Sequence, residues 1–138
     1  MTTATETSAT ATTAVDRFLT AIEKAAVPPE LYAPDARLDA VVPGWRFELA
    51  GGTAIAAEYG RWFAHPGRLE EVTRHAIGAG EVVEYTVAWE EDGMPHAARH
   101  VHVLTVDGAG LIASDHVWCG GRWPSPLLAE MEAARHDG

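Results

Sequence analysis

The chain has 138 residues, about the size of one domain, and a formal net charge of −10 from 20 acidic residues against 10 lysines and arginines. Such a charge disfavours nucleic acid and anionic membranes as main partners, because few side chains are available to neutralise phosphate groups. One cysteine excludes an intrachain disulfide, and no apolar stretch approaches the roughly 20 residues of a membrane helix, so no membrane contact is expected.

The chain is predicted to begin with a disordered leader and then a helix. Residues 1–11 contain too few apolar groups to offset the entropy cost of ordering. They also lack the basic and apolar regions of a secretory signal, which favours a cytoplasmic protein. In residues 13–26, apolar side chains recur at i, i+3, i+4 and i+7 and form one face of a helix. Two prolines end this helix, and a short helical turn is predicted for residues 29–32.

A strand pair and a second helix are predicted next. Residues 36–42 alternate between the two faces of a strand, and residues 45–49 can form a partner strand after a Pro-Gly turn. A Gly-Gly pair then breaks the strand. Residues 53–63 have the pattern of a helix that carries Ile55, Tyr59 and Trp62.

From residue 69 onwards the hydrophobic period changes to two. Four strands are predicted: 69–78, 82–90, 97–106 and 111–119. Short turns that contain glycine join the last three strands, which is typical of an antiparallel meander. The single domain is therefore expected to span residues 12–123, and residues 124–138 are expected to form a C-terminal tail with a last helical turn or two.

Three short strings connect this order of elements to a known family. Residues 31–36, LYAPDA, resemble the end of a short helix and the start of the first strand in the nuclear transport factor 2-like superfamily. Residues 52–55, GTAI, are similar to its next helix entry, and residues 108–112, GAGLI, to its last hairpin. The resemblance covers about residues 13–120 and implies a cone-shaped α+β fold, in which a curved antiparallel sheet wraps around N-terminal helices and encloses one pocket. The superfamily includes ketosteroid isomerases, SnoaL-like polyketide cyclases, limonene-epoxide hydrolases, scytalone dehydratases and binding-only members, so function depends on the pocket residues.

In this fold the concave face of the sheet lines the pocket, so the strand faces decide which side chains reach it. On strand 82–90 the bulky apolar side chains share one face, which we therefore place inward. These are Val83, Tyr85, Val87 and Trp89. The ketosteroid isomerase register implies a corresponding inward set on the last two strands. It comprises His100, His102, Leu104, Val106, Leu111, Ala113, Asp115, Val117 and Cys119.

The opposite, convex face is too apolar for a solvated surface. With the same register it carries Val101, Val103, Ile112, His116 and Trp118. The resemblance implies a homodimer through this face, since dimers are common for the fold. A slip of one residue in the register would exchange the two faces.

The positions that serve ketosteroid isomerases hold other residues here. The resemblance places Ala40 where those enzymes have the general-base aspartate, and Phe18 where they have a tyrosine donor on the first helix. His102 matches their protonated aspartic acid. Steroid isomerisation by that mechanism is therefore not expected.

His102 and Asp115 are the predicted catalytic residues. SnoaL-like cyclases are similar in carrying a histidine and an aspartate on the last two strands, which implies that this pair transfers protons on a small, apolar, oxygenated substrate. A cyclase-, isomerase- or dehydratase-like reaction would follow. The residues alone are equally compatible with a buried hydrogen-bonded pair in a non-catalytic, ligand-binding dimeric module.

A metal site is the weakest alternative. His100 and His102 share one strand face and, with Asp115, provide the ligands of a 2-His-1-carboxylate site. Strand alternation produces the HxH pattern by chance, so we predict no metal and no cofactor.

Further side chains are predicted to bind the substrate. Tyr85 can donate a hydrogen bond to a ligand oxygen, and the other aromatic residues are expected to shape the cavity. Cys119 has apolar neighbours and is expected to fill space rather than act as a nucleophile. The predicted substrate-binding set is Tyr85, Trp89, His100, Trp45, Tyr59, Val117 and Cys119.

Overall fold

The computed structural model describes the backbone of residues 4–137 and the side chains of residues 9–136. Within this part of the chain, a six-stranded sheet packs against helices. The helices are α1 (Ala4–Glu23), α2 (Gly52–Trp62) and α3 (Ser125–Asp137), with a 3-10 turn at Pro29–Leu31. The strands are β1 (Tyr32–Val42), β2 (Trp45–Ala50), β3 (Gly67–Ile77), β4 (Gly80–Glu91), β5 (Met94–Val106) and β6 (Ile112–Pro124). No helix in residues 4–137 is long and apolar enough to cross a bilayer.

The sheet is curved and open, with the strand order β2-β1-β6-β5-β4-β3. Neighbouring strands run antiparallel except β1 and β6, which pair in parallel. The predicted α+β architecture is therefore confirmed, and the sheet is mixed rather than purely antiparallel. Alternating side chains specify the faces of a strand but not its direction relative to a distant partner, so the β1–β6 pair left no signal in the sequence.

The core lies between α1, α2 and the concave face of the sheet. Val15, Phe18 and Ile22 of α1 are fully buried there, as the predicted helical face requires. Ile55 and Tyr59 of α2 are fully buried as well. Each large apolar side chain buried in this way contributes about 1.5–3 kcal/mol, so these helices hold the concave face closed.

The first helix starts earlier than predicted. It begins at Ala4, so most of the expected disordered leader, residues 1–11, is helical, while residues 1–3 lie outside the described part of the chain. Ala11 and Ala14 are buried against Val106 of β5. Alanine loses no side-chain entropy in a helix, so a segment poor in large apolar groups can still form one when it has a surface to pack on.

The C-terminal segment is also more ordered than expected. Strand β6 continues past the predicted end at Cys119 to Pro124, and its last residues pair with the start of β5. The predicted tail then forms helix α3, which contacts β5 and β6. The pairing with β5 extends the strand, because β5 itself begins at Met94, before the predicted residue 97.

The predicted inward faces are mostly confirmed. Tyr85 of β4, His100 and His102 of β5, and Asp115 of β6 are all buried. The start of β6 is the exception, because Ile112 is fully buried although it was placed outward with the convex set. A bulge explains the difference. Val106 pairs with Ile112 and Thr105 pairs with Ser114, which leaves Ala113 as an extra residue and changes the parity.

Two glycine-to-alanine changes should have opposite effects on stability. A Cβ at Gly80, at the start of β4, would overlap the carbonyl oxygen of Leu104, so Gly80→Ala should lower the free energy of unfolding by about 1–3 kcal/mol. Gly60 lies exposed inside α2, and a Cβ added there would meet nothing within 4 Å, so Gly60→Ala should raise it by about 0.5–1 kcal/mol. Urea unfolding measures both values. A Gly80→Ala variant as stable as the wild-type protein would contradict this pairing of β4 with β5.

Candidate active site

A cavity of about 360 Å³ lies between α2 and the inner face of the sheet. Its polar lining consists of Glu58, Arg61, His100, Cys119 and Arg122. Its apolar lining consists of Val42, Pro43, Trp62, Val87, Trp89 and Ala98, with Gly121 at one edge. The side chains of Arg61 and Arg122 are more than half exposed, whereas Val87, Ala98 and His100 are buried. The arginines therefore mark the mouth of the cavity, and His100 lies at its inner end.

His100 is the ionisable side chain at the inner end of the cavity. Its Nδ1 atom is 2.9 Å from the hydroxyl of Tyr85, and its Nε2 atom has no hydrogen-bond partner among the described residues. Among the described side chains, the Tyr32 hydroxyl is the one polar atom that is both fully enclosed and without a partner. Nε2 of His100 also has no partner, so it is not enclosed and must reach the cavity that His100 lines. Burial, together with the neighbouring His102, lowers the pKa of His100 to about 3, so this imidazole is neutral at pH 7.

A hydrogen-bonded chain runs from His100 into the core. The Tyr85 hydroxyl is also 2.8 Å from Nε2 of His102, and Nδ1 of His102 is 2.9 Å from Oδ1 of Asp115. The Tyr59 hydroxyl donates to Oδ2 of Asp115 at 2.5 Å. All four of these inner side chains are 0% exposed. The cavity is therefore connected to a buried carboxylate through one tyrosine and one further histidine.

The tyrosines around this carboxylate retain their protons. Burial and the charge of Asp115 raise the pKa values of Tyr59 and Tyr85 well above their ordinary value. The same two causes raise the pKa of Tyr32, whose hydroxyl has no partner among the described residues. Tyr32 was not predicted as a site residue, because a tyrosine at the start of a strand has no sequence signal for proximity to Asp115.

The predicted catalytic pair does meet, but it lies one layer behind the cavity. His102 and Asp115 are hydrogen-bonded as neighbours on β5 and β6, and neither lines the cavity. Of the predicted substrate-binding residues, Trp89, His100 and Cys119 line it. Tyr59, Tyr85 and Val117 are fully buried behind it.

The remaining predicted contact, Trp45, does not reach the cavity. It is 70% exposed at the start of β2, the edge strand of the sheet, where a neighbouring strand covers it on one side alone. Trp62 was expected on α2, but its neighbours Glu58 and Arg61 were not predicted as site residues, although spacings of three and four residues put all three on one side of the helix. Arg122 was missed because β6 was predicted to end before it.

The geometry does not support the metal alternative. The Tyr85 hydroxyl lies between the rings of His100 and His102, and both nitrogens of His102 are already engaged. In the described part of the chain, no group of three or more histidine, cysteine, aspartate and glutamate side chains could hold a metal ion.

Comparisons with known proteins support the fold. No protein-family model matches the sequence, and a search of the curated proteins found no match. A proposed polyketide cyclase from Xanthomonas campestris superposes with a TM-score of 0.62 at 19% identity, covering 81% of this chain and 91% of that one. An LEH-like epoxide hydrolase from M. tuberculosis superposes with a TM-score of 0.62 at 21% identity, covering 81% and 84%. A steroid delta-isomerase from Pseudomonas aeruginosa gives 0.55 at 17% identity, covering 82% and 81%. The chain therefore has the nuclear transport factor 2-like fold that its sequence predicted.

The neutral state of His100 should make stability depend on pH. The folded-state pKa of about 3 lies below the ordinary 6.5, so the unfolded chain binds more protons between these values. The free energy of unfolding should therefore include a contribution from His100 that is fully present above about pH 6.5. This contribution should be lost as the pH falls towards 3, by roughly 1.4 kcal/mol for each pKa unit. His100→Phe should flatten this part of the curve in urea unfolding between pH 7 and 4. The control His75→Phe, at an exposed position on β3, should keep the wild-type slope, and equal slopes in all three proteins would contradict a buried neutral His100.

Proposed function

We propose that the protein is a cofactor-independent enzyme that moves protons on a small, largely apolar, oxygenated molecule in a reaction of the cyclase, isomerase or dehydratase type. One observation carries the proposal: a neutral imidazole, His100, presents an unbonded nitrogen to a cavity whose walls are mainly apolar and aromatic. A ligand of that character would be desolvated there, and its polar atoms would find few partners other than His100.

The walls also suit such a ligand. Trp62 on α2 and Trp89 on β4 line the cavity, with the Arg122 guanidinium 5.3 Å from the centroid of the Trp89 ring, and Val87 and Ala98 close the inner end. The two arginines at the mouth are each paired with a glutamate, Arg61 with Glu58 and Arg122 with Glu91. Charge at the mouth is therefore balanced, and the aromatic walls are left to hold the body of the substrate.

His102 and Asp115 take a different part from the one the sequence suggested. Neither touches the cavity, so we assign them to positioning His100 through Tyr85 rather than to contact with the substrate. His100 becomes the catalytic residue of the proposal. The similar structures are named as enzymes of polyketides, epoxides and steroids, and these names favour an enzyme over a binding protein.

Proton exchange into a carbonyl compound tests the proposal without knowledge of the natural substrate. The probe is 2-tetralone in D₂O, an apolar ketone with exchangeable hydrogens next to its carbonyl, followed by proton NMR. The wild-type protein should accelerate exchange, and His100→Phe should reduce the acceleration by about 10²–10⁴-fold, the usual contribution of a general base. His75→Phe should retain the wild-type rate. No acceleration by wild-type protein that binds the ketone would contradict the enzyme assignment.

A second candidate is a non-catalytic ligand-binding module. It is favoured by the complete burial of His102 and Asp115, whose polar atoms are satisfied by other side chains. This function predicts that 2-tetralone binds in the cavity and that its exchange rate in D₂O is the same with and without protein. The experiment above therefore separates the two functions.

A homodimer through the convex face belongs to the same proposal, as does a cytoplasmic location. Val41, Trp118 and Val101 are register partners on β1, β6 and β5 and form an apolar row across that face. Trp118 is 46% exposed, which is unusual for a side chain of its size in the middle of a sheet. A second copy of the chain, related by a two-fold axis, would bury this apolar row against its own identical row.

Light scattering after size exclusion checks the dimer. The wild-type protein should have twice the mass of one chain, and Trp118→Arg should shift it to the monomer because it places a charge in the apolar row. Trp45→Arg is the matched control. Trp45 is the register partner of Val42, whose side chain lines the cavity, so Trp45 lies on the concave face and outside the proposed interface. A monomeric wild-type protein, or a dimer that survives Trp118→Arg, would contradict this interface.

A further inference from the structure

The hydrogen-bonded chain behind the cavity has a consistent direction when Asp115 is ionised and His102 is neutral. Asp115 then accepts at both oxygens, so the hydroxyl of Tyr59 and Nδ1–H of His102 are the donors. These two donors stabilise the charge of the buried carboxylate. A neutral His102 that carries its proton on Nδ1 has a lone pair on Nε2.

This lone pair sets the direction of the rest of the chain. Tyr85 has one proton, and it donates this proton to Nε2 of His102. Its oxygen must then accept from Nδ1–H of His100. A neutral His100 with its proton on Nδ1 presents a lone pair on Nε2, the atom that faces the cavity.

We propose that Asp115, His102, Tyr85 and His100 form a proton relay that makes Nε2 of His100 a hydrogen-bond acceptor in the resting protein, and that the ligand presents to it an acidic hydrogen. An enol or phenol O–H and a C–H next to a carbonyl are ligand groups of this kind. This inference rests on the proposed function, because it names the substrate class and the proton path of the same site.

The transfer balances without a cofactor. The bond between the ligand and its hydrogen breaks, and the proton goes to Nε2 of His100. The proton on Nδ1 of His100 passes to the oxygen of Tyr85, whose own proton goes to Nε2 of His102. The proton on Nδ1 of His102 then passes to Oδ1 of Asp115. The rings of His100 and His102 both end neutral, with the proton on Nε2 instead of Nδ1. One negative charge has moved from Asp115 to the ligand.

The relay has an electrostatic advantage in a buried site. Transfer to His100 alone would create an imidazolium beside a ligand anion, and desolvating each ion costs several kcal/mol. With the relay, the site holds one negative charge before and after the transfer. The proton taken from the ligand ends on Nε2 of His100, at the cavity, where it can exchange with solvent or return to another atom of the same ligand, while the proton on Asp115 stays buried. Removal and return of one proton fits isomerisation or cyclisation better than addition of water.

Binding of a matched pair of probes tests the direction of the relay. The probes are 4-chlorophenol, which carries a donor O–H, and 4-chloroanisole, in which a methyl group replaces that hydrogen. Titration calorimetry should show that the wild-type protein binds the phenol about tenfold more tightly, as expected for one additional hydrogen bond to a buried nitrogen. His100→Phe should reduce this ratio to about one, because it removes the acceptor. His75→Phe should retain the ratio.

Tyr85→Phe tests the relay itself. The Tyr85 hydroxyl orients the proton on His100, so its removal should lower the phenol preference although His100 remains. The preference is a ratio within one protein, so a general loss of folding would weaken both probes together. An unchanged ratio in Tyr85→Phe would overturn the positioning role of this tyrosine.

Nitrogen-15 NMR of histidine-labelled protein reads the tautomers directly. At neutral pH, His100 and His102 should both be neutral with the proton on Nδ1, and Tyr85→Phe should shift His100 towards the tautomer with the proton on Nε2. A proton on Nε2 of His100 in the wild-type protein would overturn the relay even if exchange of 2-tetralone is intact. Loss of that exchange with the expected tautomers present would instead remove the proposed function and leave the direction of the relay standing.

Discussion

A carboxylate without access to solvent is the constraint on which the rest of this structure depends. Asp115 is 0% exposed, and removal of an ionised carboxylate from water costs several kcal/mol unless hydrogen bonds replace its hydration. The Tyr59 hydroxyl and the His102 ring replace it, one at each carboxylate oxygen. Helix α2, which carries Tyr59, and strand β5, which carries His102, must therefore meet β6 at one place.

This requirement also positions the cavity. The hydrogen bond from Tyr59 holds α2 against the sheet, and the same helix carries Glu58, Arg61 and Trp62 to one wall. On the other side, Tyr85 connects the carboxylate to His100 through His102. The polar interactions that stabilise Asp115 therefore set the distance between the cavity wall and the imidazole that faces it. The Tyr32 hydroxyl remains without a partner among the described residues, and it is the polar atom in this core that a buried water could satisfy.

Local patterns predicted much of the fold and part of the candidate site. Alternation on β4 placed Tyr85 inward, and the register against a known fold placed His100, His102 and Asp115 on the same side. The errors lie where an interaction is not local. The bulge at Ala113 depends on how β5 and β6 pair, and the helical state of residues 4–11 depends on the packing of Ala11 against Val106. Neither contact has a periodic signal in the sequence, since each joins segments far apart in the chain.

The sequence by itself determined the face on which most strand residues lie, apart from the start of β6, and the two helices that cover the concave face, because periods of two and of about 3.6 residues are properties of neighbouring side chains. It did not determine which of two inward histidines meets the cavity. Only the tertiary structure decided this, through the helices above the two rings. Phe18 of α1 packs its ring edge-on to His102 with centroids 5.1 Å apart and closes that position. His100, which precedes His102 on the same face of β5, lies beside Trp62 with centroids 5.4 Å apart, where the space next to α2 remains open.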